Sequence, residues 1–450
     1  MPESNRPDTA IIDRLLDKGD TDILVSLLQA MHPADIALLL EDIPSERSIE
    51  LFDQLPVDVA SEVLDETGAL VRQDLIENVE DKRIAELLDK LPMDDAAEIL
   101  DDLPDIVSDR LLELMDDAEA DEVREILAYD DGTAGRLMNR VVVSLRRQWS
   151  VAYALEYLRS LEEIETVHYL YVIDRNEKLI GVVPIRFLLL SQLDELIEDI
   201  MLTTVFSVSA SADQEELAEF TARYDYVAIP VVDEKEKLIG VVTVDDVMDA
   251  LEEEVTEDIQ RLGGSEPLDQ PYFSAGLRRV IGARIGWLML LFLAAIMTGA
   301  VLQAFENELQ TVIALGFFIP LVTGTGGNAG SQTVATIIRA ITLGEVRLST
   351  LGRAVMREVT VGLFLGGFMG AMGLILATIW GVGIQVALVV TFTLPIVVIC
   401  ATTIATVVPT VANRFNIDPT IISGPMISTI VDTAGLAIYF SLARTFIDAI

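Results

Sequence analysis

The sequence predicts a multidomain membrane protein: an acidic, all-α helical-repeat portion, an α/β repeat pair, a connecting amphipathic helix and a five-helix transmembrane domain. Three observations carry this prediction. Charge divides the chain, since residues 271–450 hold nine Lys+Arg against seven Asp+Glu, leaving 22 and 66 in the first 270 residues. The first part therefore carries −44 of a total of −42. Long uncharged runs are confined to the last 180 residues, and a bilayer core needs about 20 apolar residues per helical span. Finally, Leu179-Ile180-Gly181-Val182-Val183 returns as Leu238-Ile239-Gly240-Val241-Val242 at an offset of 59. The expected divisions are residues 1–130, 131–243, 244–270 and 271–450.

Residues 1–130 read as short amphipathic helices joined by Pro-containing turns. One phrase recurs as Met31-His32-Pro33-Ala34-Asp35, Leu55-Pro56-Val57-Asp58 and Leu91-Pro92-Met93-Asp94-Asp95. Proline suits a helix start, where its missing N–H is no loss, and aspartate there favours the positive helix end. Such self-similarity suggests a small solenoid, stabilised by stacking neighbours. Asp94, Asp95, Asp101, Asp102, Asp116 and Asp117 are dense enough to attract a cation, although a solvated helix face also explains them. So acidic a surface repels nucleic acid and anionic lipid and attracts divalent cations or basic proteins. Met1 to Asp20 is polar and acidic, so no signal peptide is expected. Cys400 is the single cysteine and His32 and His168 are the two histidines, which argues against disulfide, zinc or copper chemistry.

The repeat between Met138 and Asp258 reads as strand, hairpin, strand, helix in each copy. Apolar runs Tyr169–Ile173 and Val227–Val232 precede polar turns that open on Asp174 and Asp233. This arrangement resembles a tandem pair of CBS domains. In that family a Gly–x–x–Thr/Ser–x–x–Asp phrase holds a nucleotide ribose. The second copy has it at Gly240, Thr243 and Asp246, whereas the first reads Gly181, Pro184 and Phe187. ATP is thus a possible ligand, with a purely structural pair as the alternative.

From Val244 to Leu262 an apolar stripe of Val247, Leu251, Val255, Ile259 and Leu262 marks a helix, ended by Gly263-Gly264. Glu254, Glu257 and Asp258 stand close together on its acidic side. Like charges at that spacing destabilise a helix unless a cation or a basic partner offsets them. Mg²⁺ and Ca²⁺ are the hard ions such carboxylates take.

Ile285–Leu302, Leu309–Ile338, Val359–Asn413 and Pro419–Ala443 contain the expected five spans, the third run turning near Trp380-Gly381-Val382-Gly383. Arg278, Arg279, Arg284, Arg339, Arg347, Arg353, Arg357 and Arg414 lie at one set of ends, Glu306, Glu308 and Arg444 at the other. The positive-inside rule then places the N-terminal part in the cytoplasm and the C-terminus outside. The second span carries Thr323-Gly324-Thr325-Gly326-Gly327-Asn328-Ala329-Gly330-Ser331-Gln332, which is expected to break the helix and line a water-filled path. Asn328 and Gln332, with Gly326 and Gly327, are the candidate lining residues; close helix packing is the alternative role for the glycines. Gly362, Gly366 and Gly370 have small-xxx-small spacing, a helix-contact face.

Within the final apolar run, Asp432 is the one charge near the middle. A carboxylate at the midplane costs at least about 2.5 kcal/mol, so it is expected to face a wet cavity or a cation. A protonated carboxyl bonded to a neighbouring hydroxyl is the alternative. No P-loop and no nucleophile–base set appears, so enzymatic hydrolysis is not expected.

Taken together, the acidic helical portion, paired CBS modules, acidic helix and five spans resemble the MgtE family of magnesium channels. The likeness is sharpest at Gly324–Gln332, at Val255-Thr256-Glu257-Asp258-Ile259, and at Asp418-Pro419 followed by Asp432. The resemblance implies a homodimer in the plasma membrane, with a pore on its two-fold axis. It also implies Mg²⁺ held at Asp432, with Asp418 near the cytoplasmic mouth, and closure by cytosolic Mg²⁺ at Glu254, Glu257 and Asp258 of a plug helix and at Asp94, Asp95 and Asp246. A proton- or Na⁺-coupled divalent-cation transporter and a non-conducting membrane-anchored sensor are the rival readings.

Overall fold

The structure, a computed structural model, describes residues 9–18, 21–161, 168–268, 272–273, 275–415 and 417–447. The domain boundary expected between 270 and 271 lies outside the described residues. Two compact units are present, Met1–Glu254 and Val255–Ile450.

The first unit opens with a run of short helices, from α1 (Thr9–Lys18) to α10 (Asp117–Leu127). One apolar core threads them, with Leu24, Phe52, Leu64, Leu88, Leu100 and Val123 all buried. The repeated prolines start helices as their chemistry suggests. Pro33 occupies the first turn of its helix, while Pro56 and Pro92 sit one residue earlier, as caps with ψ of 151° and 146°. Pro92 thereby places Asp94 and Asp95 in the first turn of α8 (Met93–Asp101).

The same unit continues through β1 (Ser144–Arg146), α11 (Val151–Ser160), β2 (Tyr169–Ile173), β3 (Leu179–Pro184), α12 (Ile185–Leu190) and α13 (Ile197–Ile200). The second copy follows as β4 (Val208–Ser209), α14 (Gln214–Tyr224), β5 (Ala228–Val232), β6 (Leu238–Thr243) and α15 (Val244–Leu262). Each copy forms a three-stranded sheet, with a parallel first pair and an antiparallel hairpin. The aspartates repeated at the offset of 59 have a local task. Asp174 Oδ1 accepts from Asn176 N and Lys178 N, and Asp233 Oδ1 from Lys235 N and Lys237 N, all within 3.0 Å. These bonds hold turns in which Glu177 and Glu236 take φ of 66° and 63°. The two hairpins then join tip to tip, Leu179 N donating to Glu236 O and Leu238 N to Glu177 O, each at 3.2 Å.

In the second unit, α16 (Leu277–Ala304) leads to the short α17 (Glu306–Thr311), a 3₁₀ stretch Ile313–Phe318 and α18 (Ile319–Thr342). Helices α19 (Leu351–Trp380), α20 (Ile384–Arg414) and α21 (Gly424–Phe446) complete it. Among the described residues, α16, α19, α20 and α21 are long and apolar enough to cross a membrane. Helix α18 is about 36 Å long at 1.5 Å per residue, but its Gly, Ser, Thr, Asn and Gln make it less apolar. The turn between α19 and α20 falls where expected, with Gly381 and Gly383 at φ of 65° and 89°. Gly362, Gly366 and Gly370 are buried against α20, and a Cβ on Gly366 would lie 2.5 Å from the Cα of Pro395. At the other end of α21, Arg444 pairs with the buried Glu308 at 2.5 Å and lies over the Phe305 ring. The charges read as flanking one side of the bundle thus meet there.

One expectation is corrected. The glycine-rich segment does not interrupt the second span, because α18 is helical from Ile319 through Thr342. The irregular backbone lies upstream, in the 3₁₀ stretch ahead of Pro320. Neighbouring helices compensate the low helix propensity of the glycines by approaching closely.

Candidate functional site

Ser423 precedes helix α21, which starts at Gly424; the Ser423 Oγ caps Met426 N, and Pro425 sits in the first turn of the helix. Eight residues past its start, Asp432 is partly buried beside α18. Gly327 faces it: a Cβ there would lie in ordinary contact with Asp432 Oδ1, at 3.7 Å, and tightly against Ser428 Oγ, at 3.2 Å. Ser428 Oγ donates to Gly327 O at 3.3 Å and shares a hydrogen bond with Ser331 Oγ at 3.0 Å. Thr433 meets Thr298 of α16 at 2.7 Å. The carboxylate therefore stands in a polar seam of hydroxyls and a carbonyl within an apolar bundle.

The four candidate lining residues divide by face. Gly326 and Gly327 are buried, and a Cβ on Gly326 would meet Val397 and Val431 at 2.7 and 2.8 Å. These two glycines act by packing, the role sequence reading left as an alternative. Asn328 and Gln332 are both exposed, on one face of α18.

Asp418 caps the short turn Pro419–Ile421, accepting from Thr420 N at 2.8 Å and Thr420 Oγ1 at 2.6 Å. Its Oδ2 also accepts from Arg261 Nη1 at 3.3 Å. Arg261 Nη2 lies 2.6 Å from Glu257 Oε2. Arg261 was not singled out from sequence, although its place four residues after Glu257 is an ion-pair signal.

A second cluster lies in the first unit. Carboxylate oxygens of Asp94, Asp95 and Asp246 fall within 4.8 Å of one another, with Asp94 buried and the other two partly so. Three hard oxygen donors at that separation can take Mg²⁺ or Ca²⁺, directly or through its waters. Asp246 Oδ2 also accepts from Thr243 N at 3.1 Å and from Thr243 Oγ1. Gly240 serves the packing of the repeat, since a Cβ there would lie 2.6 Å from Met138 Sδ. Gly181 faces Met201 in the same way at 2.8 Å. The phrase Gly240, Thr243, Asp246, read from sequence as a ribose holder, is thus used for packing, capping and the acidic cluster. Glu254 accepts from Gln214 Nε2 at 2.9 Å. Asp258, on the last part of α15, is not among the three clustered aspartates.

Sequence reading missed a further acidic group around Asp65, Glu98, Asp102 and Asp249. Burial pushes the Asp65 carboxyl up to about 6; Arg72 opposes this, while Glu98, Glu66 and Asp249 add to it. Glu98 and Asp102 are raised, first by burial, and Asp249 is raised by burial and then by Glu252 and other acids. Asp65 lies on α5, Glu98 and Asp102 on α8 and its cap, and Asp249 on α15, so no spacing rule in one segment reveals the group, although Asp102 is one of the acids noted above.

A half-open cleft of about 160 Å³ lies between the two repeat copies. Tyr169, Tyr171, Phe206 and Tyr226 supply its aromatic walls and Arg186 a cation.

A carboxylate in a spanning helix, in a chain that also carries a regulatory-type α/β repeat pair, marks a multi-pass membrane protein of the divalent-cation transporter class. Family models agree: the MgtE divalent cation transporter model matches residues 319–442, the MgtE intracellular N domain 31–132, and the CBS domain 134–186 and 197–253. The chain belongs to the MgtE family. It is 34% identical over 444 residues to the magnesium transporter MgtE of Thermus thermophilus, covering 98% of each chain. With the magnesium transporter MgtE of Bacillus subtilis it shares 36% over 322 residues, 71% of this chain and 70% of the relative. Among solved structures, the cytosolic domain of the Mg²⁺ channel MgtE in complex with ATP superposes with a TM-score of 0.51 at 33% identity, covering 53% of this chain and 98% of that one. The soluble part of a magnesium transporter gives 0.52 at 29%, covering 54% and 97%.

Proposed function

We propose that the chain carries Mg²⁺ across the plasma membrane as a homodimeric channel, and that cytosolic Mg²⁺ closes it. The single observation that carries this reading is Asp432, seated beside Gly327 and one helical turn after Ser428 in a bundle of spanning helices. Mg²⁺ sheds water reluctantly, so a carboxylate flanked by hydroxyls suits a hydrated ion. Two copies of Asp432 across a dimer axis would double the attraction. With the N-terminal unit in the cytoplasm, a negative-inside potential drives inward flux at about 2.3 kcal/mol per charge per 100 mV, twice over for a divalent ion.

Closure follows from differential binding. Mg²⁺ among Asp94, Asp95 and Asp246 ties α8 to the start of α15, the helix that also carries Glu254, Glu257 and Asp258. Without Mg²⁺ the clustered acids repel, and the raised carboxyls around Asp65 belong to the same field. An ion that binds the gathered arrangement better than the separated one shifts the population toward it. The CBS pair is read as a nucleotide-binding module, supported by the likeness to the ATP-bound cytosolic domain.

Mg²⁺ flux into vesicles containing the full chain, with and without Mg²⁺ on the cytoplasmic side, tests this proposal. Flux that internal Mg²⁺ suppresses supports it. Flux that saturates and follows a proton or Na⁺ gradient would establish a coupled carrier instead, and no flux at all a non-conducting sensor.

A further inference from the structure

The cleft between the repeat copies has the chemistry for two parts of a nucleotide; for the third it offers the hydroxyl of Thr204 and tyrosine hydroxyls, but no carboxylate among the described lining residues. Flat rings stack well on aromatic side chains, and four of these line the cleft. Phosphate pairs with guanidinium, which Arg186 supplies. A ribose, however, is recognised through its 2′- and 3′-hydroxyls, and a carboxylate is the side chain that accepts from both. Among the described residues that line the cleft there is no Asp or Glu.

The internal repeat shows where that carboxylate would stand. Asp246 follows Thr243 by three residues in the second copy, and the equivalent positions 59 earlier are Phe187 and Pro184. Pro184 lines the cleft and offers neither an N–H nor a hydroxyl. Phe187 instead gives its ring to Arg186, whose guanidinium carbon lies 5.3 Å from the ring centroid. The carboxylate that survives, Asp246, is engaged by Thr243 and gathered with Asp94 and Asp95.

We infer that this cleft binds a nucleotide through its base and phosphates and does not read its sugar, because Pro184 and Phe187 stand at the positions equivalent to Thr243 and Asp246 of the second copy. The inference rests on the reading that the CBS pair is a nucleotide-binding module. A site built to bond a hydroxyl rejects the analogue lacking it strongly, whereas a site without such a group cannot tell the two apart. ATP and 2′-deoxy-ATP are therefore equivalent ligands for this chain.

Calorimetric titration of the full chain in detergent, at fixed free Mg²⁺, tests this with ATP, 2′-deoxy-ATP and inorganic triphosphate as probes. The expected result is that the two nucleotides agree within about twofold in Kd, with triphosphate at least about tenfold weaker. Arg186→Ala is expected to weaken both nucleotides by the same factor. Phe187→Asp, which restores the carboxylate, is expected to favour ATP over the deoxy form about fivefold or more; Pro184→Thr provides an independent gain of the missing hydroxyl should that variant not fold. Wild-type preference for ATP of tenfold or more overturns sugar indifference while leaving nucleotide binding intact. Triphosphate binding as tightly as ATP overturns recognition of the base. Absence of binding by both nucleotides overturns the nucleotide reading and this inference with it.

Discussion

Arg261 Nη1 reaches Asp418 Oδ2 at 3.3 Å while its Nη2 holds Glu257 Oε2 at 2.6 Å. One guanidinium thus bridges a carboxylate of α15 and the acid that caps the turn before α21, leaving a formal net charge of −1 on the three side chains. Both partners are about a third exposed, so solvent weakens the contact. Such a pair contributes roughly 0.2–1 kcal/mol.

Replacing Arg261 by Ala is expected to remove this bridge and to loosen the closed arrangement when Mg²⁺ is scarce. Open probability in patches bathed in nominally Mg²⁺-free cytoplasmic solution should rise about 1.5- to 5-fold, the factor equivalent to that energy. An unchanged open probability would show that the pair has no part in closure.

Asp95 is a partly buried member of the acidic triad, on the first turn of α8. Asp95→Asn removes one charge and one hard donor from three. The Mg²⁺ concentration giving half-closure, read from the same recordings, should increase roughly three- to tenfold, about 0.7–1.4 kcal/mol of lost binding.

Two adjacent glycines of α19 separate packing from propensity. A Cβ on Gly366 would lie 2.5 Å from Pro395 backbone, which cannot swing aside, whereas one on Gly367 meets nothing within 4 Å. Gly366→Ala is expected to destabilise by about 1–3 kcal/mol through overpacking. Gly367→Ala should be neutral or stabilising. Thermal unfolding of the two variants in detergent distinguishes these outcomes.

The raised carboxyls give a pH dependence of known sign. Asp65 is pushed from an ordinary value near 3.8 to about 6, so the folded cluster binds more protons than the unfolded chain between those limits. Stability therefore falls as pH rises through that window and is highest below it. Without Mg²⁺, protease resistance of the first unit within the full chain should be greater at pH 5.5 than at pH 7.5, by this argument about one proton's worth at most. Mg²⁺ should narrow the difference by taking the protons' place.

Much of this architecture is legible in the chain because strong local rules write it. The offset of 59 predicts two hairpins, and the Asp174 and Asp233 turns show what the repeated aspartates do. Small-xxx-small spacing predicts the α19–α20 contact. Long-range chemistry is where local reading stops. The pairing of Arg261 with Asp418 spans 157 residues, and the group around Asp65, Glu98 and Asp249 draws on three helices. Glycines misled it too: Gly324–Gly330 looks like a helix break, yet it is helical because Val397, Ile427, Ser428 and Val431 pack where side chains would have been.

The central claim is that Asp432 is the coordination point for the permeating ion. Its most direct test is Mg²⁺ flux through Asp432→Ala and wild-type chains, reconstituted at equal density with folding checked by monodisperse elution. Loss of Mg²⁺ flux is the predicted result. Flux equal to wild type through a folded Asp432→Ala protein would contradict it.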